Sequence, residues 1–284
     1  MSDDRPRIRR GLARRGGQGR VPGRRPTLPR GIPLRAVLPN AVTALALCSG
    51  LTGIRFAILG NWEAAVLMVL AAAVLDGIDG RIARLVRAES RFGAELDSLS
   101  DAISFGVAPA LILYLWSLQA LGRFGWLVAL LHALFCALRL ARFNAQIDLA
   151  EQPHKSAGFL TGVPAPAGAA LALTPLYLWL WTGEPLTRAP VIIAVWTVFI
   201  AVLMVSSVAT FRPKIRLRQN VRFEAIAVLV ALAAALVSAP WTTLAIVAIA
   251  YLASIPFSIR SYRRIRRLRA AGEDAASAPE PIAP

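Results

Sequence analysis

Eight apolar runs of membrane-spanning length govern what this chain can fold into. They cover about 39–59, 62–86, 97–118, 124–144, 159–181, 190–210, 222–238 and 240–259. A helix needs about 20 mostly apolar residues to cross hydrocarbon. The breaks are short: GNWE at 60–63, QALGR at 119–123, TGEPLTR at 182–188 and SAP at 238–240. Residues are 56% hydrophobic and 17% charged over 284 positions, which leaves no room for a separate soluble domain. The expected fold is all-α, a polytopic membrane bundle of about eight helices. The stretch before the first run has no early apolar core, so that run reads as a retained span and not a signal peptide.

Charge sets the topology. Residues 1–36 hold eleven Arg against Asp3 and Asp4, a composition that cannot bury a core and reads as a disordered basic tail. With that tail cytosolic, the inner segments collect 29 of the 32 Lys and Arg, while the outer ones hold only Arg123 and Arg188. Such asymmetry places both termini inside. The net charge of +16 is then a topology signal and an attraction to anionic lipid rather than a nucleic-acid footprint. The basic run after 260 reads the same way. Cys48 and Cys136 fall inside spans and form no CxxC pair, and His132 and His154 lack metal-ligand spacing. Trp and Tyr, mostly near span ends, read as interfacial belts.

Between spans two and three runs LDGIDGRIARLVRAESRFGAELDSLSD, with Asp76, Asp79, Asp97 and Asp101. Asp76 lies about 21 Å along its helix from Trp62, at 1.5 Å per residue, in the inner third of the membrane. The first two acids are spaced i, i+3 and the last two i, i+4, so each pair shares a helix face. A linker of about ten residues lets the two helices lie antiparallel, with all four acids converging on one pocket. Convergent carboxylates repel, and burial makes their charge costly. They can carry protons, as in a coupled transporter, or bind hard divalent cations through oxygen. The small residues Gly77, Gly80, Ala83 and Gly93 favour close approach of a bulky ligand. Arg81 and Arg84 suit phosphate. Metal, small residues and Arg together point to a phosphate-bearing substrate at the membrane surface.

The motif Asp76-x2-Asp79-Gly80-x2-Ala83-Arg84-x8-Gly93-x3-Asp97-x3-Asp101 resembles, position by position, that of the CDP-alcohol phosphatidyltransferases. The resemblance implies transfer of a phosphatidyl group from CDP-diacylglycerol to an alcohol, releasing CMP. It implies six catalytic helices around a cytosol-facing cavity, usually in a homodimer. Asp76, Asp79, Asp97 and Asp101 would bind two divalent cations, Mg²⁺ or Mn²⁺, with Asp101 also the general base. Gly80, Ala83 and Arg84 would line the cytidine–diphosphate site, with Gly77 and Gly93 beside them. Asn40 and Thr43, a turn apart, can point into that cavity, or Asn40 can be a plain N-cap.

LRLARFN at 138–144, GFLTGVPAPAGAAL at 158–171 and MVSSVATFRPK at 204–214 resemble the phosphatidylserine synthase branch. L-Serine would then be the acceptor, its carboxylate gripped by Arg139 and Arg142 and its ammonium met by Asn144 and carbonyls near Pro164 and Pro166. Glycerol 3-phosphate, inositol phosphate and choline stay open as acceptors. Arg139 and Arg142 can instead be positive-inside anchors, and the PxPxxG run a break opening span five. The expected organisation is a tail at 1–36, a catalytic membrane domain at 37–212, two further helices at 213–260, and a basic then disordered tail at 261–284. The expected location is the inner membrane, with the active site cytosolic.

Overall fold

The computed structural model describes residues 34–86, 90–147, 159–206, 209–211 and 222–276. Arg87, His154, Lys155 and the tails at 1–33 and 277–284 lie outside the described residues.

Leu34–Ile58 (α1) and Trp62–Leu85 (α2) form the first hairpin. Its turn uses Gly60 at φ 73° and is closed by Asn61, whose Oδ1 accepts from the Ala64 N–H at 3.0 Å. Arg91–Asp101 (α3), a π-helical turn at Ala102–Val107 and Ala108–Trp116 (α4) make one rod. A 3₁₀ turn at Leu118–Leu121 leads to Arg123–Ile147 (α5). Phe159–Thr161 (β1) precedes Ala165–Ala172 (α6) and Thr174–Thr182 (α7). Another 3₁₀ turn, Pro185–Arg188, leads to Pro190–Val205 (α8), then Ala209–Phe211 (β2). Arg222–Ser238 (α9) and Pro240–Ala276 (α10) complete the order. Among the described residues these are eight rods. Four are long and apolar enough to cross a membrane: Val37–Ile58, Arg91–Trp116, Arg123–Ala145 and Pro240–Ser258.

Two prolines explain the irregular places. Pro109 has no N–H to give the Phe105 carbonyl four residues back. The helix widens there into the π turn, and the Ala108 N–H reaches back to Ile103 O. His132, fully buried on α5, faces the Phe105 carbonyl without closing a full hydrogen bond. Pro175 likewise leaves the Leu171 carbonyl without its helical donor, and the rod breaks between α6 and α7. There the Trp196 indole N–H, from α8, donates to Leu171 O at 2.8 Å. Span five, expected as one run at 159–181, is therefore a short strand and two helices.

β1 pairs antiparallel with β2, Phe159 opposite Phe211 and Thr161 opposite Ala209. This ladder ties the approach to α6 to the exit of α8. Between β1 and α6, Gly162 has φ +74°, and a Cβ there would lie 2.5 Å from Met204 O. α10 packs on α6, α7 and β2, and continues as helix to Ala276, into the stretch expected as a tail.

Phe105, Ile112, Leu113, Trp116, Leu176 and Ile200 fill the centre. Trp116 and Tyr177 are buried there and do not belong to an interfacial belt. Outside, Leu85, Leu186, Val195 and Val237 stand exposed along with many other large apolar side chains. A surface this apolar is unsuited to water but matches hydrocarbon. Helices that satisfy their own backbone groups are the form such a chain takes in a bilayer. The chain is an integral membrane protein.

Candidate active site

The acids lie where α2 ends and α3 begins. α3 starts at Arg91 because Ser90 caps it, its Oγ accepting from the Gly93 N–H at 3.0 Å. Small polar side chains hold this rod against α1. Ser100 Oγ donates to Thr43 O and Ser104 Oγ to Ala46 O, each at 3.3 Å. Gly50 allows the contact, since a Cβ there would come within 2.5 Å of Ser104 Oγ. The helices can approach this closely only because their facing residues are small.

Asp76, Asp97 and Asp101 each offer an oxygen within 4.8 Å of the others. Asp76 is in hydrogen-bonding contact with both partners. Three carboxylates this close cannot all carry charge without compensation, and an all-oxygen donor set suits a hard divalent cation. The cluster can hold a metal ion. Asp79 lies near enough to act electrostatically on Asp76 and Asp97, and has an anchor of its own. Only 4% exposed, it accepts a 2.6 Å hydrogen bond at Oδ2 from Thr43 Oγ1, which also contacts Pro39 O at 3.1 Å. Three of the four expected acids thus meet at one point, and the fourth, Asp79, lies beside them with its own anchor on α1.

Asp79 and Asp97 border a cavity of about 340 Å³ lined also by Pro39, Asn40, Thr43, Gly80, Ala83, Arg84, Ser90, Gly93 and Ala94. That volume falls in the range of small-molecule sites, roughly 300–1,000 Å³. Six of the seven residues expected at the CDP-lipid site line it; Gly77 does not. Among the described residues nothing beyond their own stretch of helix lies within 4 Å of where a Cβ on Gly77 or Gly80 would stand, so both present open backbone. A Cβ at Gly93 would press on Asn40 Oδ1 at 3.0 Å. Asn40 is no N-cap, because α1 begins at Leu34. Among the described residues its buried Nδ2 has no hydrogen-bond partner, and it sits at the cavity wall, as a ligand-binding amide would.

The residues expected to bind serine fall into two groups. Arg139, half-buried on α5, lies near enough to Asp101 to act on it electrostatically, and among the described residues its buried Nε has no hydrogen-bond partner. Asn144 Nδ2 donates to Ser98 Oγ at 2.9 Å, beside Asp97. Arg139 thus lies by the acid cluster, and Asn144 reaches α3 one residue beyond Asp97. Arg142 is exposed, and its Nη1 donates to Val205 O at 3.0 Å, tying α5 to the end of α8. Pro164 opens α6, and its carbonyl accepts from the Gly168 N–H at 2.8 Å. Sequence reasoning missed Ser90 and Ser98. For Ser90 a signal was present, a Ser just ahead of a helical run.

The fold and site together define a class: a helical membrane protein with a metal-capable acid cluster beside a small-molecule cavity at one end of its bundle. Residues 36–206 match the family model described as CDP-alcohol phosphatidyltransferase, and residues 221–256 match a second, CDP-alcohol phosphatidyltransferase 2. The chain is 42% identical over 235 residues to the CDP-diacylglycerol–serine O-phosphatidyltransferase of Mycobacterium tuberculosis, covering 82% of each chain. To the enzyme of the same name from Mycobacterium leprae it is 39% identical over 240 residues, 84% of this chain and 79% of that one. It is 36% identical over 173 residues to the archaetidylserine synthase of Methanothermobacter thermautotrophicus, covering 60% and 68%. The chain belongs to the CDP-alcohol phosphatidyltransferase family.

Proposed function

We propose that this protein is a CDP-diacylglycerol–serine O-phosphatidyltransferase, which transfers the phosphatidyl group of CDP-diacylglycerol to the hydroxyl of L-serine and releases CMP. The observation that carries the proposal is the pairing of the acid cluster with a cavity built from the family's own motif residues. The named relatives, all acting on serine by their names, support the choice of acceptor. The coupled-transporter reading has no place in this family.

Asp76, Asp97 and Asp101 would hold divalent metal, with Asp79 facing the same substrate from its Thr43 anchor. Mg²⁺ or Mn²⁺, as two ions, would neutralise the diphosphate and stabilise the departing CMP. Asn40, Thr43, Gly80, Ala83 and Gly93 shape the nucleotide cavity, and Arg84 supplies positive charge at its wall. Gly77 would pass the lipid side of the substrate along bare backbone. Asp101 takes the proton from the serine hydroxyl. The hydroxyl oxygen then attacks the phosphorus that bears the diacylglycerol. The bond between that phosphorus and the bridging oxygen breaks, and CMP leaves with the electron pair. Arg139, next to Asp101, holds the serine carboxylate and orients the hydroxyl. Asn144 and carbonyls near Pro164 meet the ammonium, and Arg142 braces this wall through Val205.

The proposal places the protein in the inner membrane, both termini and the site cytosolic, because 29 of 32 basic residues lie on that side of the spans. The basic tails would lie on anionic lipid, and the enzyme would be a homodimer, as the family resemblance implies. Residues 37–212 would form the catalytic domain and 213–260 an added helix pair. The test is CMP release by purified protein given CDP-diacylglycerol and one acceptor at a time. Serine should support it; release with glycerol 3-phosphate, inositol phosphate or choline in its place would overturn the assignment.

A further inference from the structure

A second cavity, of about 750 Å³, opens at the end of the bundle away from the acids. The rod from Arg91 to Trp116 connects the two places, and at 1.5 Å per residue Trp116 lies about 22 Å beyond Asp101. The cavity forms where the ends of α4 and α7 meet the Pro185–Arg188 turn and the start of α8. On the topology proposed above, this is the outer face. The volume falls in the range of small-molecule sites. Among the described residues that line it, Arg188 alone carries a charge.

The bonds that hold Arg188 leave its charge unmet. Its Nε and Nη2 donate to Trp116 O at 3.1 and 2.9 Å, and Ser117 Oγ donates to Arg188 O at 2.7 Å. The guanidinium carbon stands 5.6 Å from the centre of the Trp179 ring. Neither a carbonyl nor a ring has a formal charge, and among the described residues Nη1 makes no hydrogen bond. A guanidinium pinned in this way presents a fixed fork of donors, which suits phosphate oxygens. Two further donors belong to the same wall. Trp116 is 1% exposed, yet among the described residues its indole Nε1 has no acceptor. A buried indole N–H normally finds one, and a phosphate oxygen in the cavity that Trp116 lines would serve. α8 starts here with Ala189 and Pro190, and no side chain caps it. Its first-turn N–H groups have no helical carbonyl to bond, and such an end favours an anion.

We infer that this cavity binds the phosphodiester of a membrane phospholipid, with Arg188 gripping the phosphate and the acyl chains lying along the apolar flank outside. Trp181 on α7, Leu186 in the turn and Val191 on α8 are all more than half exposed on the segments that form the cavity. Chains in a bilayer would pack there. Free phosphate would meet the same guanidinium but would gain nothing from that flank. The site shares no residue with the acid cluster or its cavity, so the inference stands or falls separately from the proposed reaction.

The test is photolabelling of the full-length protein, in maltoside micelles, by a phosphatidylglycerol with a diazirine on its headgroup, mapped by mass spectrometry. Label should fall within 116–120 and 179–190. Arg188→Gln should lower it on the order of tenfold, the effect of lost hydrogen bonds to a charged group. Arg188 also holds Trp116 O, so Ala120→Glu is the second variant. It sets a carboxylate at the exposed rim, keeps every bond of Arg188, and should lower the label as well. If Arg188→Gln does not fold, Ala120→Glu decides. Unlabelled phosphatidylglycerol should displace the label, while diacylglycerol and inorganic phosphate at the same concentration should not. Label that neither variant lowers is contact with the lipid belt only, and would overturn the inference. Label confined to other parts of the chain would do the same. Displacement by diacylglycerol would remove the phosphate from the recognition, and displacement by inorganic phosphate would remove the lipid; either result overturns a phospholipid site.

Discussion

Thr43→Val isolates the one hydrogen bond that ties α1 to the acids. Valine keeps the shape of the threonine and removes its hydroxyl, so the 2.6 Å contact to Asp79 is lost and the carboxylate is left buried without that donor. Hydrogen bonds to charged groups contribute about 1.5–3 kcal/mol, and an unmet buried acceptor costs a similar amount. At about 1.4 kcal/mol per factor of ten, catalytic efficiency with CDP-diacylglycerol should fall between about tenfold and a hundredfold. Asp79 borders the cavity, so the loss should appear with the CDP-lipid and not with serine. The assay is CMP release from mixed micelles, with each substrate varied in turn. Thr43→Ser, which restores the donor, should recover most of the activity. A Thr43→Val enzyme with unchanged kcat/KM for CDP-diacylglycerol would refute the claim that α1 sets the position of Asp79.

Asp101→Asn removes the proposed base but keeps its size; transfer should drop to background while the thermal melting of the purified protein stays close to the parent. Gly50→Ala puts a Cβ within 2.5 Å of Ser104 Oγ, and should lower stability by about 1–3 kcal/mol in a denaturant titration. Gly80→Leu meets open space, so it should fold normally and raise the KM for the CDP-lipid by filling the cavity. Chelation with EDTA should abolish CMP release, and added Mg²⁺ or Mn²⁺ should restore it.

Much of this site was legible because helical spacing is a local property. Asp76 to Asp79 and Asp97 to Asp101 fix which acids share a face, and Gly80, Ala83 and Arg84 follow on the same helix. What spacing could not give was the rotation of α2 against its neighbours. Thr43 on α1 anchors Asp79 beside the other three acids, and only tertiary packing decides that. Asn40 looked like a possible cap because Pro39 precedes it, but α1 starts a turn and a half earlier. The split of span five was hidden for another reason. It carries no charged residue, and the break at Pro175 depends on Trp196 arriving from α8 to satisfy Leu171.

The central claim is that a serine hydroxyl attacks the lipid-bearing phosphorus at the Asp101 cluster. Serine labelled with heavy oxygen in its hydroxyl tests it most directly, with phosphatidylserine and CMP from the purified enzyme analysed by mass spectrometry. The label should appear in phosphatidylserine, CMP should form in equal amount without it, and Asp101→Asn should give neither product. Label in CMP, or phosphatidylserine without label, would contradict the account.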